Sequence, residues 1–161
     1  GRGAHVCPTP ECVTGLNPGR LSRAFKKSIE IQEPMPEMVE RLATLAKQRI
    51  RETIGLARRA GVLEIGTERV AEKLKGCMDR SNPGVAVAAS DLAERTTKRL
   101  EGGWTFGSSQ ELGACIGVVK AGAIWVSASR FSKTLEFWLG CERAMGFALG
   151  AFQDETENKE G

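Results

Sequence analysis

Short, branched runs alternating with stretches of helical period predict an α/β layered domain, preceded by a small basic N-terminal segment. The chain has 161 residues, of which 41% are apolar and 27% charged, enough to bury the core of one domain. Its Gly and Pro residues fall between the periodic runs, where turns belong. The sequence divides into a basic segment over residues 1–33, a layered domain over 37–150 and an acidic tail over 151–161.

Residues 1–33 are rich in Gly, Pro and Cys, and the run from Glu33 to Pro36 (EPMP) stops any element there. From Glu37 to Ala60, Met38, Leu42, Leu45, Ala46, Ile50, Ile54 and Ala57 recur at threes and fours, which predicts a long helix with these residues on one face. Gly61 closes it. Residues 62–65 form a short strand, and Thr67 caps a helix to about Lys75. Residues 84–89 (GVAVAA) form a second, buried strand. Asp91, followed by Glu94, is expected to cap a helix that ends at Leu100. Residues 104–106 form a third strand, and Ser108 with Glu111 makes a capping box. Residues 123–128 form a fourth strand, and the helix after it carries Phe131, Leu135, Trp138, Leu139, Met145 and Phe147. The polar end from Gln153 to Gly161 is expected to be mobile.

Formal net charge is +3, but it is unevenly distributed. Residues 1–30 carry five basic and two acidic side chains, residues 31–150 seventeen and fourteen, and residues 151–161 one and four, so the tail masks a body of +6. Lys120 interrupts the longest apolar stretch, from Leu112 to Ala128, and no signal-peptide pattern opens the chain. A cytoplasmic protein without a membrane partner is the expectation. Five irregularly spaced cysteines (Cys7, Cys12, Cys77, Cys115, Cys141) do not form a secreted framework and read as reduced thiols, mostly in the core. The chain opens inside what reads as a motif, so an upstream part is expected to be missing.

Catalytic parts are scarce. There is one histidine, His5, and no GxSxG, HExxH, CxxC pair or P-loop. No enzyme and no cofactor are expected. Gly1-Arg2-Gly3 imitates the start of a dinucleotide fingerprint, but Val6 breaks it. His5, Cys7 and Cys12 offer three zinc ligands without a second pair nearby, so no metal is expected.

Basic residues give a better signal. Arg2 lies between two glycines, and Arg20, Arg23, Lys26 and Lys27 follow, with Arg20, Arg23 and Lys27 at helical spacing. Such a stripe neutralises phosphates or is simply a solvated face. A glycine before a helix, as at Gly66–Thr67, leaves backbone amides free for an anion, although every helix has such an end. The glycine-bounded loop from Gly117 to Ala123 carries Val118, Val119 and Lys120. Its valines can pack on an extruded base, or the loop is only a helix-to-strand connection.

The segments GRGAHVCPTPEC and LSRAFKK, within residues 1–30, resemble the second half of the bacterial YlxR family of small nucleic-acid-binding proteins, encoded beside transcription-termination and translation-initiation genes. From Ile50 to about Ala128, the pieces IGLARRAGVLEIGTE, VAVAASD and GSSQELGACIG are similar in order and spacing to the kink-turn-binding ribosomal-protein superfamily of the L-seven-Ae and L-thirty-e types. That resemblance implies a three-layer α/β/α sandwich around a four-stranded mixed sheet. It also implies an RNA grip at an Asn-Glu-x-x-Lys motif after the Gly-Thr turn. Here the sequence departs from the superfamily: Glu68, Arg69 and Glu72 occupy the three positions, with Lys73 next to the last. Val118 and Val119 match the superfamily's hydrophobic specificity loop.

Together these readings lead to the expectation of an RNA-binding protein that recognises structured RNA, ribosomal or messenger, with a link to transcription termination or translation. Arg2, Arg20, Arg23, Lys26 and Lys27 contact phosphates. Gly66, Thr67 and Glu68 approach a kink or loop through their backbone, Arg69 contacts base or phosphate, Lys73 and Lys120 belong to the same RNA-binding set, and Val118 and Val119 pack on a splayed nucleotide. Two alternatives stay open. One is a protein-interaction module on the ribosome or polymerase, which Glu68 and Glu72 favour; the other is a recognition domain cut from an RNA-modifying enzyme.

Overall fold

In a computed structural model of the chain, residues 6–7, 9–76 and 84–157 are described, with backbone only for 154–157. Two short helices come first, α1 (Pro10–Thr14) and α2 (Pro18–Phe25). Each opens with proline at its first position, where the missing N–H costs nothing, behind a polar cap. The Thr9 hydroxyl accepts from the Cys12 amide at 3.4 Å, and Asn17 Oδ1 accepts from the Arg20 amide at 3.0 Å. The long helix α3 (Met35–Arg59) follows, and then β1 (Leu63–Ile65), α4 (Thr67–Gly76), β2 (Val85–Ala88), α5 (Glu94–Arg99) and β3 (Trp104–Thr105). The chain continues through α6 (Ser109–Cys115), β4 (Ala123–Val126) and α7 (Arg130–Glu157).

The four strands form one mixed sheet in the order β1-β4-β2-β3. β4 is antiparallel to both β1 and β2, whereas β2 and β3 are parallel. The α/β class and the four-stranded mixed sheet agree with the sequence reading. All four residues of β2 and of β4 are buried, which explains why both read as continuous apolar runs. Because side chains alternate along a strand, the sheet has two different faces. On one, Val85, Val87, Ile124 and Val126 pack with Ile50, Ile54 and Ala57 of α3, Leu112 of α6, and Leu135 and Leu139 of α7. On the other, Ala86, Ala88, Ala123 and Trp125 pack with Val70 and Ala71 of α4 and with Leu100. Helices on both faces are what a three-layer arrangement requires.

The described chain forms two compact units, Gln48–Leu139 around the sheet, and Gly1–Lys47 with Gly140–Gly161. The second unit has its own small core of Val13, Val39, Ala144 and Ala148. No helix among the described residues is long and apolar enough to cross a membrane.

Several local expectations need correction. On α3 the buried stripe is Val39, Ala43, Ala46, Ile50, Ile54 and Ala57, while Leu45 is exposed. Stepping back from Ala57 at 3.6 residues per turn reaches positions 39 and 43, so helical phase outweighs the greater size of Met38 and Leu42. The helix α4 starts at Thr67 itself; Gly66 is its cap, and the Gly66 carbonyl accepts from the Val70 amide at 3.0 Å. Asp91 does not cap α5, whose cap residue Ala93 makes no side-chain bond. The sequence assigns no burial along α7, where Leu135, Leu139, Cys141, Ala144 and Ala148 are buried and Phe147 is exposed. Of the cysteines, Cys7 is exposed, Cys12 and Cys115 are half-buried and Cys141 is buried, so the expectation of mostly core thiols fails among the described residues. The polar end is helical as far as Glu157.

Candidate nucleic-acid interface

Strand direction decides what meets at each end of the sheet. The register pairs Ile65 with Ile124, Ala88 with Ala123, and Ala88 with Thr105, so β1, β2 and β3 end where β4 begins. The turn Gly66–Arg69, the segment Ala89–Asp91, the start of α6 and the loop residues Lys120–Gly122 therefore gather at one rim. Backbone bonds tie them together: Gly66 N–H to the Ala123 carbonyl (3.0 Å), Ala89 N–H to that of Gly122 (2.9 Å), and Ala121 N–H to that of Ser109 (2.8 Å). The Ser90 amide and hydroxyl both donate to the Gly107 carbonyl, each at 2.8 Å.

Two glycines make this closeness feasible. A Cβ on Gly122 would lie 2.9 Å from Thr67 Cγ2, and one on Gly113 would lie 2.8 Å from the backbone N and Cα of Lys120. The loop is thus pressed onto both α4 and α6. Gly66 has φ +126°, open to glycine and strained for other residues, and this lets β1 turn directly into α4.

Gly66, Thr67, Glu68, Arg69 and Lys120 are brought together at this rim. Arg69 and Lys120 are exposed, with no carboxylate within ion-pair distance among the described residues. Val119 is 84% exposed. Val118, by contrast, packs against the core and its amide donates to the Gly113 carbonyl at 3.0 Å, so only one of the two valines is presented to solvent. Lys73 is half-buried, pairing with Glu64 at 2.7 Å and lying 5.9 Å from the Trp125 ring centre. Glu68 is held by Arg99: Nη1 donates to Oε1 at 2.6 Å and Nη2 to Oε2.

Arg20, Arg23, Lys26 and Lys27 belong to the other compact unit, and all four are exposed without an ion pair among the described residues. The expected face of Arg20, Arg23 and Lys27 needs correction. α2 ends at Phe25, Lys26 adopts left-handed backbone at φ 55°, and the Lys27 amide donates back to the Ser22 carbonyl at 3.2 Å. This reversal takes Lys27 off the helix. Arg20 lies so close to Gly15 that a Cβ there would meet its Nη1 at 2.5 Å. Arg2 and His5 lie outside the described residues.

The acidic groups at the rim are engaged. Asp91 accepts from both the Ser109 amide (2.7 Å) and its hydroxyl (2.9 Å). The Ser109 hydroxyl and amide, aided by Lys120, hold the Asp91 carboxyl below its ordinary value. Glu111 completes the capping box with Ser108 and pairs with Arg51 at 3.0 Å; these bonds lower its pKa too. The Arg99 guanidinium does the same for Glu68. Neither Ser109 nor Arg99 stands out in the sequence, and Asp91 serves α6 rather than the expected cap of α5. Their partners lie 18 and 31 residues away, beyond the range of local pattern. No group of three or more metal-ligating side chains occurs among the described residues.

No family model and no curated protein matches this chain. Four chains of solved structure do. One is a protein of unknown function from Bacillus halodurans, 25% identical with a TM-score of 0.50; the match covers 56% of this chain and 96% of that one.

Proposed function

We propose that this chain is a cytoplasmic, non-enzymatic RNA-binding protein that recognises structured RNA, ribosomal or messenger. The observation that carries the reading is the balance of charge at the rim. Its acids Glu68, Asp91 and Glu111 are bonded to Arg99, Ser109 and the cap of α6, while Arg69 and Lys120 stand exposed beside Val119 and form no ion pair among the described residues, Lys120 acting on Asp91 only through its longer-range charge. Cations of this kind meet phosphates, and an exposed aliphatic side chain next to them can pack against an unpaired base. The resemblance to the kink-turn-binding superfamily and to the YlxR family points the same way.

A fluorescence titration of the full chain with a labelled kink-turn hairpin, repeated from about 50 to 200 mM salt, tests this. Binding should weaken steeply with salt, and Arg69→Ala with Lys120→Ala should flatten the log–log slope by up to about two charges. No binding at 50 mM salt would remove the reading. Exposed Glu72, where the superfamily has lysine, favours a second reading, a protein-docking module on the ribosome or polymerase. That module would ignore the hairpin and bind a protein component of either machine.

A further inference from the structure

The ion pair between Glu68 and Arg99 has an unusual position. It joins the first turn of α4, next to Gly66, to the end of α5 31 residues later, and both guanidinium nitrogens face both carboxylate oxygens. This two-pronged geometry is also the one in which arginine grips a phosphate. Both side chains are well exposed, 67% for Glu68 and 44% for Arg99, so water screens the pair and an incoming anion has direct access to it. Glu68 is followed at once by Arg69, which forms no ion pair among the described residues, so an anion arriving here would find a second cation beside the first, with Glu72 the remaining carboxylate that acts on Arg99.

We propose that Glu68 is a built-in stand-in for RNA phosphate. Arg99 is the side chain that takes the phosphate at the first turn of α4, and RNA binds there by displacing the Glu68 carboxylate. Glu68 thereby sets a threshold: a weakly charged or poorly placed anion does not outcompete a tethered carboxylate, whereas a folded backbone that presents a phosphate next to Arg69 does. The inference rests on the RNA-binding reading and adds to it a residue, Arg99, and a self-inhibiting contact.

Four forms of the full chain test it by titration with the same labelled hairpin: the unaltered protein, Glu68→Gln, Arg99→Ala and the double variant. Thermal melting first confirms that all four are folded. Glu68→Gln keeps the shape and removes the charge, so it should tighten binding on the order of tenfold near 50 mM salt and steepen the log–log slope by about one. The same change made on Arg99→Ala should produce a much smaller gain, because the phosphate-gripping group is already missing and only repulsion between the carboxylate and phosphate is relieved. An equal gain in both backgrounds would mean that Glu68 acts only as a repelling charge, and would overturn the proposal. An unaltered protein that binds, with a Glu68→Gln variant no tighter, overturns it alone; absence of binding by all four overturns the RNA-binding reading with it.

Discussion

Gly113 shows how a single residue can position a functional loop. It is buried inside α6, where glycine lowers helix stability by about 1 kcal/mol relative to alanine, yet any Cβ would strike the Lys120 backbone and the Val118 carbonyl. Backbone atoms cannot swing aside as a side-chain end can. Gly113→Ala should therefore lower stability by about 1–3 kcal/mol in urea unfolding despite its better helix propensity. A gain in stability would show that the loop does not rest on α6. The same contact fixes Lys120 and leaves Val119 in solvent, so the loop's chemistry depends on a residue with none of its own.

At the scale of the element, the start of α6 is where sequence and structure agree best and also where they part. The capping box of Ser108 and Glu111 was legible because its two residues are three apart and face each other in any helix start. Ser108→Ala should cost about 0.5–2 kcal/mol in the same measurement. Asp91, read as a cap for α5, serves α6 across the rim. Its carboxyl titrates below the ordinary value of about 4, so its bonds to Ser109 add stability above that pH and lose it as pH falls through the lower folded value. Asp91→Asn should consequently flatten the acid limb of a stability-versus-pH curve below about pH 4, with little change in its shape near neutrality. An identical acid limb in the two proteins would assign the acid sensitivity to Glu68, Glu52 and Glu111, which are lowered as well.

At the scale of the whole molecule, charge is distributed over both compact units. Residues 1–30 contribute +3, and four of their cations are exposed and unpaired among the described residues. Replacing Arg20, Arg23 and Lys27 by alanine should flatten the salt dependence of hairpin binding by up to about three charges. An unchanged slope would confine RNA to the unit around the sheet. Since Lys27 lies past the reversal at Lys26, the three changes need not act equally, and single replacements would show which cations reach phosphate.

Most of the secondary structure and the α/β class are legible in local pattern. Alternating periods, proline at helix starts, and Gly61 and Gly66 at positive φ are local matters that a few neighbouring residues settle. Which strands lie side by side, and so which four segments meet at the rim, was decided by the sheet order β1-β4-β2-β3, a pairing across as many as 63 residues (Leu63 with Val126). Only that tertiary pairing turned Glu68 toward Arg99, left Arg69 and Lys120 exposed at the rim, and drew Val118 inward while Val119 stayed out. The physical reason is range: propensity and capping act within a turn or two, whereas ion pairs and burial depend on residues that distant chain segments bring into contact.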